Sequence, residues 1–159
     1  MALLAGAIAP DFVLTGWYDG RARDFRLSEH AGRPRVLAFY PGDERLVCTR
    51  QLCAYSDGIE ALHRARAAQV WAISPQDVHS HREFAQRRSL ALPLLADTAS
   101  VVAQMYQIVG PFGLRRSVFI IDESGRIAWR WVAALNLTFP GVGQLQRVLD
   151  GLGHTPHRQ

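Results

Sequence analysis

Residues 36–62 read VLAFYPGDERLVCTRQLCAYSDGIEAL, and the change of period inside this stretch decides the fold. Val36 to Tyr40 is a short apolar run closed by Pro41-Gly42-Asp43, which is the length and punctuation of a buried strand. From about Val47 to Ala67 the pattern turns helical. Leu52, Tyr55, Ile59 and Leu62 recur at three- and four-residue steps and form one apolar stripe.

The same alternation continues outward. Phe12 to Leu14 and Ala22 to Leu27 flank a turn region, Gly16-Trp17-Tyr18-Asp19-Gly20, and predict an N-terminal hairpin. Val70 to Ile73 predicts a second buried strand stopped by Ser74-Pro75, followed by a helix over Asp77 to Arg88. A short stretch at Leu94-Leu95-Ala96 and a helix from about Ala99 to Tyr106 come next. Ser117 to Asp122 is a strand that Glu123-Ser124-Gly125 turns into an antiparallel partner, Arg126 to Val132, before a closing helix over Gly141 to Leu152. A terminal hairpin joined to βα units and a final ββα gives an α/β fold, a mixed central sheet flanked by helices on both faces. One domain over residues 1–153 is expected, with His154 to Gln159 as a loose tail.

The bulk composition limits the function classes. A chain of 159 residues with 48% hydrophobic and 20% charged residues is a soluble globular profile, and it buries roughly two-thirds of its unfolded surface. The net charge of +4 is carried by arginine alone, since no lysine occurs. The densest run, Arg21, Arg23, Arg26, Arg33 and Arg35, lacks the interleaved aromatics of a nucleic-acid face and reads as a solvated basic edge. The opening Met1 to Pro10 is apolar but short and lacks a charged start, so neither a signal peptide nor a membrane span is expected, and the cytoplasm is the expected compartment.

Two cysteines in such a compartment are poor candidates for a static bridge, because thiol pools keep such bonds reduced. Cys48 falls at the start of the long helix, where unpaired N–H groups and the helix dipole favour a thiolate, and Arg45 lies three residues before it. Position alone leaves a buried, inert cysteine equally open. The spacing to Cys53 adds weight. Five residues apart on a helix, two Cα atoms lie roughly 8–9 Å apart, beyond the reach of a disulfide, so a bridge requires the first turns to unwind. That suits a two-step cycle in which peroxide oxidises Cys48 and Cys53 attacks the product. A metal is a weaker reading, because no second ligand pair lies nearby.

These residues also resemble a family. Gly6 to Leu14, Phe39-Tyr40-Pro41-Gly42-Asp43, Val47-Cys48-Thr49 with Cys53, Pro93 to Asp97 and Arg116 to Asp122 look like the peroxiredoxins. The gap between the cysteines is similar to the bacterioferritin-comigratory, or peroxiredoxin Q, branch. The resemblance runs from about residue 6 to 150. It implies a thioredoxin-like fold, no cofactor, and reduction of hydrogen peroxide and organic hydroperoxides with electrons from thioredoxin. It implies Cys48 as peroxidatic nucleophile, Cys53 as resolving thiol, Pro41 as a shield of the pocket, and Arg116 as support for the thiolate and the peroxide. Tyr40, Arg45 and Thr49 would line the pocket.

One departure stands out. The family's threonine position, three residues before the cysteine, holds Arg45, and the next position, often proline, holds Leu46. Arginine donates but cannot accept a hydrogen bond, so the peroxide loses a partner, and slower oxidation is expected. Thr49 is the available substitute hydroxyl. An alternative reading is a redox sensor or binding scaffold with weakened peroxidase activity. A thiol–disulfide oxidoreductase is weaker still, because the Cys-x-x-Cys spacing is absent. His79 and His81 read as a solvated helix entry, and the four tryptophans as strand packing. Monomer and homodimer both remain open.

Overall fold

The computed structural model describes residues 2–152; the expected C-terminal tail lies outside them. The strands are β1 (Val13–Tyr18), β2 (Arg21–Arg26), β3 (Arg35–Phe39), β4 (Gln69–Ser74), β5 (Leu94–Ala96), β6 (Val109–Gly110), β7 (Gly113–Leu114), β8 (Ser117–Ile121) and β9 (Ile127–Val132). The helices are α1 (Leu46–Asp57), α2 (Ile59–Arg64), α3 (Val78–Arg88), α4 (Val101–Met105) and α5 (Val142–Gly151).

Among the described residues, seven strands form one sheet in the order β2-β1-β5-β4-β3-β8-β9. β3, β4 and β5 run parallel, while β1, β8 and β9 join antiparallel, so the sheet is mixed as the alternation of elements predicts. β3 sits between β4 and β8 with all five residues buried, which explains its unbroken apolar run. Its side chains alternate between two cores. Val36, Ala38 and Tyr40 pack with Cys48, Leu52 and Tyr55 of α1, Leu62 of α2, Phe84 of α3 and Leu145 of α5. Leu37 and Phe39 face the opposite core with Trp71, Val102, Tyr106 and Phe119. The strand that carries the turn into α1 is therefore packed on both faces.

Several expectations need correction. The N-terminal turn is tighter than read, since Gly16 to Tyr18 belong to β1 and only Asp19-Gly20 turn. Gly16 pairs with Leu95 of β5, and a Cβ there would meet the Leu94 carbonyl at 2.8 Å, so this glycine answers close approach and not a turn. The long helix divides at Gly58 into α1 and α2, where a Cβ would lie 2.8 Å from a Val142 methyl of α5. The β6–β7 hairpin escapes sequence reading because two-residue strands carry no period. Arg35 is not part of a solvated edge. It is buried, and its guanidinium donates to the carbonyls of Leu27 at 3.1 Å and Asp122 at 2.9 Å.

Gly16→Ala should lower stability by about 1–3 kcal/mol, because the added methyl displaces the β5 backbone. Chemical denaturation followed by circular dichroism reads the change, and wild-type stability would contradict the packing described.

Candidate active site

Cys48 occupies the third residue of α1, behind the N-cap Arg45. The first helical hydrogen bond runs from Thr49 N to Arg45 O at 2.7 Å, so the first-turn N–H groups of Leu46, Val47 and Cys48 precede the helix ladder. Cys48 is fully buried and both cysteines are free.

The guanidinium that meets the sulfur is that of Arg116, at the entry to β8. Its Nη2 donates to Cys48 Sγ at 3.2 Å, and its Nη1 donates to Gln51 Oε1. Arg116 is only 2% exposed, so this cation is held inside the protein. Its backbone is pinned as well, with the amide donating to Asn136 Oδ1 at 2.7 Å and the carbonyl accepting from Ala133 N at 2.9 Å. Arg115 turns the other way, and its guanidinium donates to the Ala133 carbonyl at 2.9 Å. Alternation along the chain, which places successive side chains on opposite sides, separates these neighbours.

Gln51 is a site residue that sequence reading missed. Its Nε2 donates to Tyr55 Oη at 3.3 Å, and Tyr55 donates to the Pro140 carbonyl at 2.6 Å. Burial pushes the Tyr55 phenol up, against smaller opposing effects from Gln51 and Arg116, so it keeps the proton it donates. The available signal was positional. Gln51 is a polar residue three past Cys48 and four before Tyr55, on the face of α1 that the apolar stripe turns inward.

The remaining residues named from sequence are distributed unevenly. Pro41 is half-buried in the β3–α1 connector, and Tyr40 is buried beside it. Arg45 is exposed and lies against Gly42, with its Nε 2.7 Å from where a Gly42 Cβ would stand. Its side chain makes no hydrogen bond or ion pair among the described residues, and the sulfur contact belongs to Arg116 instead. Thr49 Oγ1 and Arg116 Nε are both buried without a partner. Cys53 lies half-buried in the unbroken α1, five residues past Cys48, so the two sulfurs cannot bond while that helix is intact.

His81 is a correction to the solvated-entry reading. Its side chain is 0% exposed, because the first turn of α3 directs it toward Asp43 and β5. His79 does face solvent, paired with Glu83 one turn on. Trp17, Trp129 and Trp131 pack partly buried on the α1 side of the sheet, and Trp71 is buried on the other. Among the described residues, no cluster of three or more His, Cys, Asp or Glu is arranged to hold a metal, and no helix is long and apolar enough to cross a membrane.

The site is a buried cysteine at a helix start, touched by a buried arginine and followed by a second cysteine in the same helix. The model of the AhpC/TSA family matches residues 5–130. The chain belongs to this family. It is 37% identical over 127 residues to the chloroplastic peroxiredoxin Q of Oryza sativa subsp. japonica, covering 78% of this chain and 57% of that protein. It is 31% identical over 134 residues to a thioredoxin peroxidase of Echinococcus granulosus, covering 79% and 69% of the two. The chain thus spans little more than half the length of the plant relatives it matches. Among solved structures, AhpC of Mycobacterium tuberculosis superposes with a TM-score of 0.87 at 23% identity, over 99% of this chain and 97% of that one. Peroxiredoxin Q of Xanthomonas campestris gives 0.78 at 23% identity, over 95% and 98%. The fold of this AhpC/TSA chain is accordingly the thioredoxin-like one.

Gln51→Leu should cost about 1–3 kcal/mol, because it leaves the buried Nη1 of Arg116 without its acceptor. Urea denaturation measures that loss, and a neutral result would show the amide to be dispensable.

Proposed function

We propose that this chain is a thiol-dependent peroxidase of the atypical two-cysteine kind, acting on hydrogen peroxide and organic hydroperoxides. The observation that carries the reading is the 3.2 Å contact between the buried Arg116 guanidinium and Cys48 Sγ at the start of α1. A guanidinium is permanently charged and aims its donors in a fixed fork, so it supports negative charge on sulfur and then on the departing oxygen.

In the first step the Cys48 thiolate attacks the terminal peroxide oxygen. An S–O bond forms, the O–O bond breaks, and the alcohol or water leaves after taking a proton, which gives a Cys48 sulfenic acid. Arg116 Nε and Thr49 Oγ1, buried and unpartnered, are the groups to which the peroxide oxygens offer hydrogen-bond partners. Thr49 serves here as the hydroxyl that Arg45 does not provide. In the second step the first turns of α1 unwind, Cys53 sulfur attacks Cys48 sulfur, water leaves, and a disulfide forms. A thioredoxin-type dithiol then reduces the bridge. We place the activity in one thioredoxin-like domain in the cytoplasm, as a monomer or homodimer, without a nucleic-acid or membrane partner.

Intact-mass measurement after mixing with equimolar hydrogen peroxide tests the cycle. The reduced chain should quickly lose two hydrogens, Cys48→Ser should be inert, and Cys53→Ser should accumulate a trappable sulfenic acid. Oxidation no faster than that of a free thiol would rule the peroxidase reading out. Removing the hydroxyl in Thr49→Val should slow Cys48 oxidation by about tenfold, the scale of one hydrogen bond lost in a transition state. Arg45→Thr should speed it, and a rate unchanged in both variants would assign the hydroxyl's task elsewhere.

A further inference from the structure

A second buried polar cluster lies behind the connector between β3 and α1, and the peroxidase cycle as described does not use it. Asp43 stands two residues after Pro41 and five before Cys48. Its side chain is 2% exposed and has three hydrogen-bond partners. Tyr40 Oη donates to Oδ1 at 2.6 Å, while Ser80 Oγ and His81 Nδ1 meet Oδ2 at 2.7 Å each. His81 Nε2 is 3.0 Å from the Leu95 carbonyl, which only accepts, so Nε2 carries hydrogen, and Nδ1 faces Asp43. Asp43 N also donates to Gln76 Oε1 at 2.7 Å. The next residue, Glu44, adopts φ of +63° and pairs with Arg87 and Arg88 at the far end of α3.

The placement of these bonds matters more than their number. Residues 40–45 belong to no regular element, yet they set where α1 begins. Every tie on Asp43 apart from that to Tyr40 leads to α3, to the β4–α3 turn or, through His81, to β5. None leads to α1. Unwinding of the first turns of α1, which a Cys48–Cys53 bridge demands, therefore leaves the Asp43 cluster whole. A buried pair with all its hydrogen bonds met is costly to break, and so fixes a backbone that secondary structure does not.

We propose that Asp43 and His81 are positioning residues for Cys48, a clamp that holds the β3–α1 connector against α3 and β5 while α1 unwinds and reforms. The clamp returns Pro41 and the first turn of α1 to one geometry in each cycle. It serves attack on peroxide, which needs that geometry, and not disulfide formation, which needs its loss. The inference rests on the peroxidase reading.

Two rates separate the roles: sulfenic acid formation at Cys48, and its conversion to the disulfide, both followed by rapid quench and intact mass. Asp43→Ala should slow the first step by about tenfold or more, since misplacement of a reacting group by an ångström costs that much. The second step should run at least as fast as in the wild-type chain. Asp43→Asn should recover the first step to within about threefold, because its oxygen still accepts from Tyr40 and its amide still bonds His81 and Ser80. A general loss of folding would slow both steps and would not be rescued by asparagine. Should Asp43→Ala fail to fold, His81→Asn, which leaves Tyr40 and Ser80 on the carboxylate, should show the same split. A wild-type first step in folded Asp43→Ala, or in His81→Asn, overturns the clamp alone. A wild-type chain inert to peroxide removes the peroxidase reading and the clamp with it.

Discussion

A guanidinium with almost no access to water must find its partners within the protein, and the site is arranged around that demand. Arg116 meets it with the Cys48 sulfur on one nitrogen and the Gln51 carbonyl on another. Removing one of these acceptors strands a buried donor at a cost of about 1–3 kcal/mol, so the arrangement is held from several directions. Tyr55 orients Gln51, the Pro140 carbonyl orients Tyr55, and Asn136 fixes the Arg116 backbone. α1, β8 and the loops before and within residues 133–140 thus converge on one cation. Its unpartnered Nε is the place where the cluster remains incomplete.

The same helix carries a conflicting requirement. In the proposed cycle α1 is intact when Cys48 meets Arg116, and it opens for Cys53 to reach Cys48. The fold separates those demands spatially. β3, buried along its whole length between β4 and β8, provides a rigid approach to the site. The polar anchoring of Asp43 lies on α3 and β5, outside the segment that has to open. Gly58, where α1 gives way to α2, keeps the far end of the helix short and packed against α5.

Much of this was legible in the sequence because it follows from period and punctuation. The run Val36 to Tyr40 closed by Pro41-Gly42, and the stripe Leu52, Tyr55, Ile59 and Leu62, gave strand and helix with little ambiguity. The five-residue gap between the cysteines sets their separation along α1, because a helix has a fixed rise. The failures have a common origin. Arg35 and His81 are polar residues in stretches that look solvated, and their burial depends on carbonyls of Leu27, Asp122 and Leu95, which lie on other elements of the fold.

What the chain decided locally was the order of its elements, the placement of Cys48 at a helix start and the distance to Cys53. Each depends on neighbours within a few turns. The choice of Arg116 over Arg115, the outward placement of Arg45, and the meeting of Asp43 with His81 were decided only by tertiary structure. Arg116 lies 68 positions from Cys48 and Asp43 lies 38 from His81, and packing of a mixed sheet brings each pair together. Periodicity says which face a side chain takes, but only the assembled layers determine what waits on that face.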